Sequence, residues 1–225
     1  MTQNHTIIFG LTADPIHLGH EQAMINGIQY LQGLNITIEE FILIPVYQPN
    51  LIAGKKAPKA HFKQRVKMCH IVASKLSKQL KCQMVVNEIE KDLATTTGQN
   101  NFSLNTIIHL NKENCLFMVS ADHFQGRWPK FRKWYGWQEI LKHSGLLINQ
   151  RPGHKINKNF IKQLREFNPN IYLVENLKSV NTSSTEIRTS LYSAKNNKVN
   201  LNSYLSEDIV RYISEQGLYK ADTAG

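Results

Sequence analysis

Short apolar runs and helical stretches take turns along this chain, and that alternation restricts the fold more than any other feature of the sequence. Apolar runs at 6–10, 40–46, 82–89, 116–120, 145–149 and 171–174 have strand length and strand composition. Between them lie stretches with helical periodicity, at 19–31, 62–80, 103–110, 137–142 and 159–167. The clearest is the second, where Phe62, Val66, Cys69, Val72, Leu76 and Leu80 recur at steps of three or four. Strands joined through single helices form βαβ units, so the fold class is α/β, a doubly wound and mainly parallel sheet. Two more helices are predicted at 184–194 and 206–216, the latter with Ser206 as N-cap, acidic Glu207 and Asp208 in its first turn and Gly217 beyond its end. A chain of 225 residues reads as one unit, 1–225, with a C-terminal helical part at 184–217.

Composition narrows the class without naming a function. Hydrophobic residues make up 41% and charged residues 20%, as in globular proteins. The best apolar run, 41–46, falls far short of the roughly 18 residues of a membrane span. The first five residues are polar and carry no secretory leader, so a soluble cytoplasmic protein is expected. Cys69, Cys82 and Cys115 are odd in number, far apart and without a CxxC pair, as expected of reduced thiols. Lys and Arg total 27 against 17 for Asp and Glu, a formal net charge of +10. Such a balance suits nucleic acid, an anionic surface or a phosphorylated substrate, and does not choose among them.

In open α/β sheets ligands bind beyond the carboxyl ends of strands, which directs attention to the post-strand loops. After the first strand comes Gly10-Leu-Thr-Ala-Asp-Pro-Ile-His17-Leu-Gly-His20. Gly10 permits a tight turn, and Gly19 would let helix-start amides approach a phosphate. His17 and His20, three apart, face one side of a helical turn, two donors suited to an anion. Helix capping is the other reading of the pair. A metal site is not expected, since no third ligand is near and the pattern is not HExxH. Near the other end, Ser184 and Thr185 open a helix, with Arg188 one turn on, so hydroxyls, amides and a guanidinium can meet phosphate oxygens. Glu186 could at the same time cap that helix. Residues 127–137 hold all three tryptophans among basic residues, a composition also found in nucleic-acid stacking surfaces.

The first segment resembles the GGTFDPIHxGH signature of nucleotidylyltransferases, and Thr182-Ser-Ser-Thr-Glu-Ile-Arg188 resembles the ISSTEIR signature of nicotinate-nucleotide adenylyltransferases. Between them 45–65 is similar to the family's Pro-rich, Lys-containing loop and helix, 101–106 to its SYTxxT stretch, 120–122 to its GxD turn and 151–153 to its RPG. The chain departs from the pattern at Leu11, Ala13, Asn50, Phe102, Ser103 and Ala121. The resemblance covers nearly the whole chain in order, and implies a Rossmann-like fold and adenylyl transfer from ATP to nicotinate mononucleotide, with Mg²⁺ accompanying ATP and no resident metal.

It further implies that His17, His20 and Arg188 are catalytic. ATP would meet Gly10, Leu11, Thr12, His17, Gly19, His20, Asp122, Ser184, Thr185, Ile187 and Arg188. The mononucleotide would meet Lys55, Lys56, Ser103, Thr106, Trp134, Tyr135 and Arg151, with Trp134 stacked on the pyridine ring. Trp137 is expected in the core, and Trp128 in a short insertion. Pantetheine-phosphate adenylyltransferases share HxGH, but the ISSTEIR-like stretch and the longer chain argue against them. The alternatives are dual or nicotinamide specificity and, from another class, an RNA-binding protein on the same fold. Retention of His17, His20, Ser184, Thr185 and Arg188 argues against the latter, so small-molecule partners are expected and neither nucleic acid nor membrane. Whether the chain is a monomer or a homo-oligomer is left open.

Overall fold

The computed structural model describes residues 4–49, 57–98, 102–150, 155–175, 178, 180, 182–193 and 200–219. Six strands form one parallel sheet: β1 (His5–Leu11), β2 (Ile38–Pro45), β3 (Gln83–Val86), β4 (Cys115–Ser120), β5 (Gly145–Asn149) and β6 (Ile171–Val174). Their order is β3-β2-β1-β4-β5-β6, so the chain winds outward from β1 in one direction and then, at β4, in the other. The helices are α1 (Leu18–Gly33), α2 (Phe62–Leu80), α3 (Ile89–Thr97), α4 (Ser103–Leu110), α5 (Trp137–His143), α6 (Lys158–Phe167), α7 (Ser184–Ser193) and α8 (Glu207–Glu215).

The strands are apolar throughout because both faces of the sheet are covered. Ile7, Phe41, Leu43, Leu116, Met118 and Leu147 point to one core, shared with α1, α2 and α8. Their neighbours Ile8, Ile42, Ile44, Phe117, Val119, Leu146 and Ile148 point to the other, shared with α4, α5 and α6. The stripe on α2 lands as expected, with Val66, Cys69, Val72 and Leu76 fully buried or nearly so. The three cysteines are buried and unbridged. Burial pushes the thiols of Cys69 and Cys115 up to about 12 and that of Cys82 up to about 11.

One element departs from expectation. The run at 82–89 is strand only over β3, and Ile89 instead opens α3. Asn87 makes the break, because its backbone N–H still donates to Leu43 O (2.9 Å) while its side-chain oxygen takes the N–H of Ile89 (2.9 Å). An Asx turn there ends the strand and leaves apolar Ile89 on a helix. At the C-terminus Ser206 is the N-cap of α8 and Gly217 leaves it with φ 60°, as expected.

Candidate active site

The winding direction reverses between β1 and β4, and a cleft of about 960 Å³ opens at their carboxyl ends. Gly10, Thr12, Asp14, His17 and His20 line it from the β1 side, Ser120, His123 and Trp134 from the β4 side, and Ser184, Thr185 and Arg188 from α7. Gly10 keeps the floor open, since a Cβ built there would meet nothing within 4 Å. Leu11 also lines the cleft, although its side chain packs largely into the core.

His17 is the extended N-cap residue of α1, and its backbone N–H donates to His20 Nδ1 at 3.3 Å. The two rings lie 3.7 Å apart between centroids, so the expected pairing on one side of the turn holds, and so does the capping role. Because His20 Nδ1 accepts, the neutral imidazole carries its proton on Nε2, a donor at the positive end of a 16-residue helix. Gly19 has a packing role that the sequence did not suggest. It is not a cleft-lining residue; a Cβ there would sit 3.0 Å from Cε1 and Nδ1 of His17 and 3.1 Å from the Val180 carbonyl. Glycine at this position makes room for the His17 ring.

Asp14, quoted in the motif but given no role by sequence, is the hub of the β1 loop. Its carboxylate is buried and accepts from the backbone N–H groups of Lys59 (2.8 Å) and Ala60 (2.9 Å) and from the Tyr219 hydroxyl (2.9 Å). Arg188 Nη1 lies 3.4 Å from Asp14 Oδ2 and donates to the Asp14 carbonyl, while its Nη2 donates to Thr185 Oγ1 at 3.2 Å. The turn that aims Asp14 passes through Ala13 at φ 55°, a left-handed position where the family pattern has a phenylalanine.

A second buried charge braces the same loops. Arg65 donates to the carbonyls of Thr12 (2.8 Å), Val46 (2.6 Å), Tyr47 (3.2 Å) and Ala60 (3.3 Å), and is 2% exposed. Burial lowers its pKa from the ordinary value, and the Asp14 charge opposes that shift. A hint of this role was available, since Arg65 follows Phe62 by three residues and precedes Cys69 by four, which puts it on the face of the apolar stripe.

At the start of α7, Ser183 is the cap. Its Oγ accepts from the Glu186 N–H (3.2 Å) and donates to the Glu186 carboxylate (2.8 Å). The first-turn amides of Ser184 and Thr185 have no intrahelical acceptor. The Ser184 hydroxyl donates to Pro15 O at 3.0 Å, tying α7 to the histidine loop. Ile187, expected at the nucleotide, is instead 1% exposed and packed in the core, with its N–H bonded to Ser183 O.

The far wall is aromatic. Trp134 packs against His123 (5.0 Å), Phe131 (5.3 Å) and Phe117 (6.1 Å), which hold it at the cleft. Ser103 and Thr106 line the same side. Tyr135 does not join them; it is 60% exposed and packs, tilted, against Phe102 outside the cleft. The 3-10 turn Lys130–Lys133 hands the chain on so that adjacent side chains diverge. Asp122 is likewise not a lining residue; its carboxylate sits 3.7 Å from His123 Nε2, and it is the unforeseen His123 that faces the cleft. Trp137 packs against the core as expected, and Trp128 is 72% exposed.

Lys55, Lys56 and Arg151 lie outside the described residues, as does Asn50. A cation that sequence did not single out, Lys59, lines the cleft. Among the described residues no group of three or more His, Cys, Asp or Glu side chains is arranged to hold a metal ion, and no helix is long and apolar enough to cross a membrane. A divalent ion that arrives on a nucleotide's phosphates needs no such group.

The chain resembles known proteins along most of its length. A "Probable nicotinate-nucleotide adenylyltransferase" of Clostridium botulinum is 29% identical over 96% of this chain and 98% of its own. A protein of the same name from Hydrogenovibrio crunogenus is 26% identical over 95% and 96%. The fold superposes on a Plasmodium falciparum nicotinic acid mononucleotide adenylyltransferase complexed with NaAD, with a TM-score of 0.71 at 22% identity, over 96% of this chain and 98% of that one. The cytidylyltransferase-like family matches over residues 8–190, from β1 through the histidine pair to Arg188, and this chain belongs to that family.

Proposed function

We propose that this protein transfers the adenylyl group of ATP to nicotinate mononucleotide, forming nicotinate adenine dinucleotide and pyrophosphate, a step of NAD biosynthesis, in the cytoplasm. One observation carries the reading: the His17–His20 pair, the Arg188-bearing start of α7 and Trp134 share a single cleft at the sheet's reversal point. The names of relatives that match along nearly the whole chain support the same substrate pair.

The nucleophile is an oxygen of the mononucleotide 5′-phosphate, ionised at neutral pH, so no side chain has to remove a proton. It bonds to the α-phosphorus as the bond from that phosphorus to the α–β bridging oxygen breaks, and pyrophosphate leaves with the electron pair. The protein's task is alignment and charge stabilisation. His20 Nε2, the α7 amides of Ser184 and Thr185 and the outer edge of the Arg188 guanidinium supply donors to the phosphate chain. His17 holds the helix start and the His20 ring. Trp134 offers a face for the pyridine, with Ser103 and Thr106 beside it. Mg²⁺ enters as MgATP, a substrate species, and neutralises phosphate charge when bound. Arg188 and His20 approach from different elements, so the guanidinium and the imidazole grip one phosphate chain from two sides.

The test is pyrophosphate release with ATP and Mg²⁺, with nicotinate and nicotinamide mononucleotides offered in parallel. Turnover favouring the nicotinate form by about tenfold or more is expected, since a carboxylate makes stronger, charge-assisted hydrogen bonds than the neutral amide it replaces. Equal rates would replace the reading with dual specificity. No turnover from folded protein would refute it.

A further inference from the structure

Tyr219 lies well beyond the span that matches the family and outside every motif considered above, yet its hydroxyl reaches the centre of the site. It donates to Asp14 Oδ1 at 2.9 Å, on the carboxylate whose other oxygen lies 3.4 Å from Arg188 Nη1. The phenol is 7% exposed. The chain is bent to deliver it. After α8 the Leu218 N–H donates back to Ile213 O (3.0 Å), Gly217 turns at φ 60°, and Tyr219 itself adopts φ 60°. A bulky residue in the left-handed region is rare and persists only where surrounding contacts over-determine it. Here the bond to a buried carboxylate is such a contact. Burial, with Asp14 beside it, raises the Tyr219 pKa, so the phenol stays a neutral donor.

We infer that Tyr219 is a positioning residue, which by orienting the Asp14 carboxylate sets the Arg188 guanidinium for the triphosphate of ATP. The inference rests on the adenylyl-transfer reading above, and extends the site to the segment following α8. Without the phenol, Asp14 keeps the Lys59 and Ala60 amides but loses its donor on the side of the C-terminal segment. Each oxygen then rests on one backbone amide, Oδ2 on Lys59 and Oδ1 on Ala60, and the position of the carboxylate opposite Arg188 is less firmly set. The fork of Arg188 is short of slack, because its two nitrogens are also committed to the Asp14 carbonyl and Thr185 Oγ1.

The experiment is a double-mutant cycle of Tyr219→Phe and Arg188→Lys, read by calorimetric titration with the β,γ-imido analogue of ATP and Mg²⁺. The stoichiometry reports the folded fraction and Kd the site, so partial unfolding does not pass for weak binding. We expect Tyr219→Phe to weaken binding about tenfold in the wild-type background, the scale of one hydrogen bond to a charged group, and less than about twofold beside Arg188→Lys. Ile213→Val, which trims the α8 core contact, should leave Kd unchanged. Equal losses in both backgrounds, no loss in either, or a matching loss in Ile213→Val would overturn the inference. Failure of the wild type to adenylylate nicotinate mononucleotide would strike the proposed reaction and leave this nucleotide-binding result standing.

Discussion

Replacing Arg65 by methionine should destabilise the protein more than any single change at the cleft surface. The guanidinium is 2% exposed and donates to four backbone carbonyls, those of Thr12, Val46, Tyr47 and Ala60. Methionine fills a similar volume and offers none of those donors, so one buried and three part-buried carbonyls lose a charged partner. Each such bond is worth about 1.5–3 kcal/mol, and the substitution also relieves the cost of burying a charge. Subtracting that relief leaves a loss of about 3–5 kcal/mol, the usual result of breaking a buried charged arrangement from one side. With a urea m-value of about 2–3 kcal/mol/M the unfolding midpoint should fall by roughly 1–2.5 M. Circular dichroism against urea, for wild type, Arg65→Met and Arg65→Lys, is the assay. Lysine keeps the charge but cannot fork to carbonyls on several segments, so it should recover less than half of the loss. A midpoint within about 0.3 M of wild type for Arg65→Met, less than about 1 kcal/mol at that m-value, would show that the carbonyls find other donors, and would refute the bracing role.

Three other outcomes follow from the same geometry. His20→Ala should lower kcat for pyrophosphate release by about 10²–10³, the usual effect of removing one charge-stabilising donor, with a melting temperature lower by only about 2–4 °C for the lost cap. Trp134→Ala should raise KM for the mononucleotide by about ten- to a hundredfold while KM for ATP changes little, as steady-state kinetics with each substrate varied will show. The buried thiols make stability fall in alkali. Their folded pKa values, about 12 for Cys69 and Cys115 and about 11 for Cys82, lie above the ordinary value of 9.0. Their contribution is therefore complete below pH 9 and is lost as pH climbs toward 11 and 12. Melting curves between pH 8 and 10.5 should decline, less steeply in Cys115→Ala, and native protein should resist iodoacetamide at pH 8.5 until urea is added.

Much of this could be read from near neighbours in the chain. Strand length, the α2 stripe, Ser206 as a cap, Gly217 as a stop and the His17–His20 pair all depend on residues within a few positions of one another, and backbone period is a local property. Where local signals competed, the reading slipped. Ile89 extends an apolar run, yet the Asn87 side chain ends β3 two residues earlier. Trp134 and Tyr135 are adjacent aromatics, and no spacing rule says which one faces the cleft.

The partners that complete the site are not neighbours at all. Asp14 meets Lys59 and Ala60 across a crossover, Arg188 across the sheet and Tyr219 from the far end of the described chain. Arg65 is polar in a helix whose pattern says only which side is apolar; its burial follows from the carbonyls that β1 and β2 bring above it. Local pattern therefore determined the elements, the fold class and the two signature segments, because those rest on short-range geometry. Tertiary structure alone decided which buried charges brace the loops and which side chains line the cleft, since those choices depend on strand order and on contacts that exist only once the sheet has formed.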